Sequence, residues 1–164
     1  MEIICNFVHC LSNDSFMTEQ IDFDISLIFA ILNGKVSAAI NRKLVRNFRE
    51  CGLDITSEQW TVLLSLWEKD GVSQQELCNA TFKDKPSMTR LIDNMERDNL
   101  VVRIAGTNDR RTNLVYLTRQ GRELEGSARD IANRTLKEAF FGVTNEEMQV
   151  SQEVLRKVFL NAKN

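Results

Sequence analysis

After residue 9 the sequence contains no histidine, and nowhere does it contain a glycine-rich phosphate loop, an H-E-x-x-H pair or a nucleophile elbow. Those absences remove the commonest general base, the metalloprotease site and the α/β-hydrolase centre, so no enzyme is expected. Four cysteines stand at 5, 10, 51 and 78 without a C-x-x-C pair, which excludes a structural zinc knuckle and a thioredoxin-like motif. The only histidine, His9, stands next to Cys10 and four residues after Cys5, and these three could be drawn as metal ligands. Three residues in an atypical tail do not make a metal site, and neither metal nor cofactor is expected. No apolar run approaches the ~18 residues of a membrane-spanning helix. The opening MEIICNFVHCLSNDSF lacks a basic start and a small-residue cleavage site, so no signal peptide is read and the cytoplasm is the expected location. There are no internal repeats, low-complexity tracts or flexible linkers.

What remains is a soluble globular composition, 43% hydrophobic and 27% charged, with length for one domain and a real core. Residues 1–16 are unlike the rest. Met17 is followed by Thr-Glu-Gln and an amphipathic run, so 1–16 reads either as an N-terminal extension or as a misassigned start. The net charge of −2 conceals segregation: residues 1–34 carry five acids and no Lys or Arg, whereas 35–50 sum to +4. Residues 51–82 sum to −4, and 83–119 to +3. A polyanion responds to such local blocks rather than to the net value.

Between Asp24 and Phe48 the residues Ile25, Phe29, Leu32, Val36, Ile40, Leu44 and Phe48 recur every three or four positions, predicting one long amphipathic helix stopped at Cys51-Gly52. Thr56-Ser57-Glu58-Gln59 starts a second helix with Trp60, Leu63, Leu64 and Trp67 on one stripe, ended at Asp70-Gly71. Ser73 and Glu76 form a capping box for a short third helix. Asp84 caps a fourth, whose first turn holds the only proline, Pro86. Met88, Leu91, Ile92 and Met95 are its inward face, leaving Lys85, Ser87, Thr89, Arg90 and Asp93 outside. Leu100–Ile104 and Leu114–Leu117 then read as a hairpin around the polar tip GTNDRRTN. Thr118 caps a helix running towards Phe141, weakened by Gly121 and Gly126, and Thr144 starts a last one.

The resulting fold is mainly α with a small two-stranded β-wing: a winged helix-turn-helix flanked by further helices. This order sets a helix and a charged loop on one surface. Duplex DNA offers such a surface a major groove for the helix and a narrow, strongly negative minor groove for the loop. Ser87 and Thr89 suit base edges or phosphates, Arg90 a guanine, and Lys85 a phosphate. Arg110 and Arg111 would enter the minor groove, with Asp109 holding one guanidinium by a bidentate pair. Taken singly, Arg90 and Asp93 read more readily as a solvated helix face, and Asp109 as turn chemistry. Their conjunction points to DNA.

Residues 52–124 resemble the MarR (multiple antibiotic resistance regulator) family of transcription factors. The match lies in Ser73-Gln74-Gln75-Glu76-Leu77, in Lys85-Pro86-Ser87-Met88-Thr89-Arg90-Leu91-Ile92 and in Leu100-Val101-Val102-Arg103. It continues through Asp109-Arg110-Arg111-Thr112-Asn113 and Leu117-Thr118-Arg119-Gln120-Gly121. The resemblance implies a single domain over 17–164, with a winged helix-turn-helix at 53–118 and dimerisation helices at 24–50 and 119–164. It further implies a homodimer on a pseudo-palindromic double-stranded operator, most often a repressor. Release would follow binding of a small aromatic or anionic effector, or cysteine oxidation. Trp60 is the candidate effector-pocket residue, although a tryptophan there reads more readily as core. The oxidation-sensing branch carries its cysteine near the start of the first helix. Here Cys5 and Cys10 precede that helix, Cys78 reads as a buried small residue, and Cys51 is the candidate redox thiol. A winged-helix interaction module without DNA binding is the alternative of another class, and the acidic blocks make it conceivable.

Overall fold

The computed structural model describes residues 23–106 and 113–162. The extension 1–16, with Cys5, His9 and Cys10, and the wing-tip residues Asp109, Arg110 and Arg111 lie outside the described residues. The chain divides into two units, Met1–Val36 and Ser37–Asn164. In the first, the described residues are the opening turns of helix α1 (Phe23–Glu50), where Leu27, Ile28, Ile31, Leu32 and Val36 are exposed.

The second unit holds the rest of α1 and then α2 (Ser57–Glu68), β1 (Val72–Ser73), α3 (Gln74–Thr81) and α4 (Lys85–Arg97). The wing strands β2 (Val101–Ala105) and β3 (Asn113–Leu117) follow, and then α5 (Arg119–Glu123), α6 (Glu125–Ala139) and α7 (Asn145–Ala162). No described helix is long and apolar enough to cross a membrane.

Local chemistry fixes most helix ends. Helix α1 closes with the Leu53 N–H donating to the Phe48 carbonyl (2.9 Å) and the Gly52 N–H to that of Arg49 (3.0 Å), with Gly52 at φ 80°. A glycine is the least strained residue in that left-handed position. Thr56 and Gln59 reciprocate across the start of α2 (3.1 and 2.9 Å), as do Ser73 and Glu76 at α3 (3.2 and 2.8 Å). The Asp84 carboxylate accepts the Ser87 N–H at 2.7 Å and caps α4. At its far end α4 closes like α1, this time through Asn99 at φ 56°, the Leu100 N–H reaching the Met95 carbonyl at 2.9 Å. Thr144 and Glu147 repeat the capping box at α7 (2.8 and 3.2 Å).

Three features differ from what the sequence predicts. The wing is three-stranded, in the antiparallel order β1-β3-β2, with Val72 opposite Val115 and Arg103 opposite Val115 on the other side. Strand β1 has only two residues, too few for an alternating pattern to betray it. The helix after the wing is interrupted locally at Leu124, whose backbone stays right-handed (φ −71°, ψ −21°), and it stops at Ala139. On α2 the deepest residues are Gln59, Val62, Leu63 and Leu66, while Trp60, Leu64 and Trp67 are half-buried. This helix is apolar around most of its girth because it packs on two sides.

The core gathers Phe48 of α1, Val62, Leu63 and Leu66 of α2, and Leu77 and Cys78 of α3. Met88, Ile92 and Met95 of α4, Val101 and Val115 of the wing, and Ala128 of α6 complete it. All four residues expected on the inward face of α4 are buried. The helix is therefore anchored along one side, and its opposite side is fixed in orientation.

Candidate nucleic-acid interface

Helix α4 presents its N-terminal end through a short turn, Thr81–Lys83, in which Phe82 takes the left-handed conformation (φ 54°). Asp84 then caps it, its carboxyl held below the usual range by hydrogen bonds from the backbone and hydroxyl of Ser87. Lys85, Pro86, Thr89 and Arg90 are exposed and Ser87 is half-buried. Both hydroxyls expected to face bases are already engaged within the protein. Ser87 Oγ donates to Asp84 Oδ2 (3.0 Å), and Thr89 Oγ1 donates to the Lys85 carbonyl (2.9 Å) while accepting from Gln74 Nε2 (3.3 Å). Their protons are committed, and what they offer outward is acceptor capacity.

The cations divide into two groups. Lys83 is paired with Glu58, Arg97 bonds Asn94, and Arg103 is surrounded by carboxylates. Lys85 and Arg90, by contrast, make no ion pair or side-chain hydrogen bond among the described residues. Two positive charges without a partner among the described residues thus stand at the exposed start of α4. The partial positive charge of the helix N-terminus adds to them. Such a surface attracts phosphate.

Neither Arg103 nor Gln74 receives a role from the sequence pattern. In the fold, the guanidinium of Arg103 joins β2 to α4 and α3 through Asp93, Glu96, the Thr89 carbonyl and Gln74. A signal was present: in a strand, positions 101 and 103 share a face, so Arg103 lies on the side of the buried Val101 and needs partners there.

Trp60 is both core and cleft. Its ring packs against Phe48 (centroids 5.3 Å apart) and Trp67 (5.5 Å). It also lines a cleft of about 390 Å³ with Ile40, Leu44, Thr61, Arg129 and Asn133. Cys51 is exposed, with Arg134 Nη2 at 3.5 Å from its sulfur, and Cys78 is buried.

Two short helices around a tight turn, the second cationic at its free end and backed by an antiparallel wing, define a winged helix-turn-helix protein. The MarR family profile matches residues 55–112. A helix-turn-helix-type transcriptional regulator, YdgJ of Bacillus subtilis (strain 168), is 30% identical over 125 residues, covering 76% of each chain. The homoprotocatechuate degradative operon repressor of Escherichia coli is 27% identical over 133 residues, covering 80% of this chain and 86% of its own. A crystal structure of a mutant MarR from E. coli complexed with operator DNA superposes with a TM-score of 0.76 at 24% identity. That match covers 85% of this chain and 99% of the other. The chain belongs to the MarR family of DNA-binding transcriptional regulators.

Proposed function

We propose that the protein works in the cytoplasm as a homodimeric repressor, binding a pseudo-palindromic duplex and leaving it when a small aromatic or anionic effector binds. It acts without catalysis. The observation that carries this reading is the pair of exposed cations, Lys85 and Arg90, unpaired among the described residues, on the end of a helix whose other side is locked into the core. In helix-turn-helix docking that end enters the major groove. Pro86, Ser87 and Thr89 line the approach, Arg110 and Arg111 of the wing tip would reach the neighbouring minor groove, and Asp109 would hold one of their guanidinium groups. The repressor named among the relatives supports the sign of regulation.

Dimerisation is supported by apolar surface that one chain leaves open. Helix α7 has no buried residue, Val150 is 63% exposed and Phe141 92% exposed. Val154, Leu155, Val158 and Leu160 are exposed as well. A contiguous patch of this kind marks an interface. Two copies would set two recognition helices about 34 Å apart, one turn of B-DNA, which is why the operator should be palindromic.

The Trp60 cleft supports the effector: an indole wall suits an aromatic ring, and the Arg129 guanidinium, whose Nε is already held by Glu125 Oε1 at 2.9 Å, would have to meet a carboxylate through its other nitrogens. A second reading, release by oxidation, has in its favour the exposed Cys51 beside Arg134.

The deciding experiment measures binding to a duplex selected from a randomised pool across a salt series. The affinity should fall steeply, log K changing by about −0.9 per phosphate contact for each unit of log salt. Arg111→Ala should weaken binding to every sequence, and Arg90→Ala should also relax base preference. No salt-dependent binding at low ionic strength would sink the proposal. Challenging the same complex with benzoate or with peroxide separates the two modes of release, and an unmoved complex in both arms removes both.

A further inference from the structure

Resting on the DNA-binding reading, we infer that Arg103, assisted by Gln74, is a positioning residue that sets base preference by fixing the wing against the recognition helix, without itself touching DNA. Its side chain is only 17% exposed. Nε donates to Gln74 Oε1 on α3 at 3.3 Å, and Nη1 pairs with Glu96 Oε2. Nη2 lies 2.8 Å from Asp93 Oδ1 and donates to the Thr89 carbonyl at 3.1 Å. The Arg103 backbone N–H donates to the other Glu96 oxygen at 2.8 Å, so side chain and main chain of the strand are clamped to one carboxylate. Gln74 closes the circuit through its amide to Thr89 Oγ1 at 3.3 Å.

Thr89, Asp93 and Glu96 stand at i, i+4 and i+7, one stripe along α4. Arg90, which would read a base, is next in sequence to the first of them. Arg103 is paired with Val115 in the wing, two residues from Ala105, where the described part of β2 ends. One planar fork thus fixes the angle between the helix that enters the major groove and the strands that carry the tip towards the minor groove. The same fork pairs with both Asp93 and Glu96 and offsets one of the two negative charges that the reading helix would otherwise turn towards phosphate. Lysine can replace the charge but not the fork.

The test uses the full-length protein, a duplex selected from a randomised pool by the wild type, and a scrambled duplex of the same length. With Arg103→Lys, folded as judged by circular dichroism at the assay temperature, the ratio of selected to scrambled affinity should fall at least about tenfold, since several charge-assisted hydrogen bonds are lost. The salt slope should not change, because no phosphate contact is removed. Gln74→Leu, which removes one arm and leaves both carboxylate pairs, should lie between wild type and Arg103→Lys, and it decides the matter if the lysine variant does not fold. A merely structural role would lower thermal stability and leave the ratio of the folded protein intact, and that result overturns the inference. So does a uniform loss of affinity with the salt slope reduced by about one, the mark of a phosphate contact. A wild type that enriches no sequence overturns the DNA-binding reading itself, and this inference with it.

Discussion

Gly121 and Gly126 lie five residues apart on either side of Leu124, and replacing each by alanine should move stability in opposite directions. A Cβ at Gly121 would stand far inside contact distance of the Leu100 carbonyl oxygen and 3.2 Å from both the Leu100 carbonyl carbon and Leu117 Cδ2. These separations fall below the ~3.5 Å optimum for carbon contacts, and the main obstacle is backbone, which cannot rotate aside. Helix α5 would have to retreat. That would loosen the hydrogen bond from Trp67 Nε1 to the Gly121 carbonyl (3.0 Å) and the capping bond from the Gly121 N–H to Thr118 Oγ1 (3.0 Å). Overpacking costs about 1–3 kcal/mol, two weakened hydrogen bonds add about 1 kcal/mol between them, and the helix propensity of alanine returns about 1 kcal/mol. The net loss is about 2 kcal/mol, or roughly 4–8 °C in melting temperature for a domain of this size. Gly126 is exposed, and a Cβ added there would meet nothing within 4 Å, so Gly126→Ala should gain about 0.5–1 kcal/mol. Thermal and urea unfolding at one fixed protein concentration, followed by tryptophan fluorescence and circular dichroism, measure both. A Gly121→Ala protein as stable as wild type would refute the close-approach account, and so would equal losses at the two positions.

Two further expectations concern acid and assembly. The Asp84 carboxyl sits below its ordinary value of 3.8 because the folded state donates hydrogen bonds to its charged form. Its contribution is therefore fully present above that value and disappears as pH falls through the lowered one. The urea midpoint of wild type should exceed that of Asp84→Asn at neutral pH, and the gap should shrink as pH falls from the ordinary value through the lowered one; a gap that stays the same throughout the acid range would show that charge is not involved. The double substitution Val154→Asp with Val158→Asp places charge on the open face of α7 and should shift the sedimenting species from twice the chain mass to once, whereas an intact dimer would place the interface elsewhere.

Helix ends were legible because their chemistry is local. The capping pairs Thr56/Gln59, Ser73/Glu76 and Thr144/Glu147 each join residues three apart, so each is written in a few consecutive letters. The inward face of α4 was legible for a similar reason, since a 3.6-residue period displays it. The two-stripe burial of α2 was not. Trp60 and Trp67 look like core in the sequence, yet in the fold they lie half-buried, Trp60 at the edge of a cleft, while Val62 and Leu66 take the deepest positions.

The candidate site divides along the same line. Residue types at the start of α4 and at the wing tip named the cationic surface without any coordinates. What the hydroxyls of Ser87 and Thr89 were already bonded to, and which cations were already paired, depended on partners elsewhere in the fold.

Order and type of the elements, their caps, and the polar outer face of α4 were thus settled by residues within one or two helical turns of each other, whose hydrogen bonds form whatever the rest of the chain does. The third wing strand, the Arg103 hub and the seating of Gly121 against Leu100 and Trp67 join residues of different elements, 7 to 54 positions apart. They exist only after the core has closed around Phe48, Leu63, Met88 and Val115 and brought those backbones together. Contacts at that separation carry a loop-closure cost that local pattern cannot repay, and burial of the shared core is what offsets it.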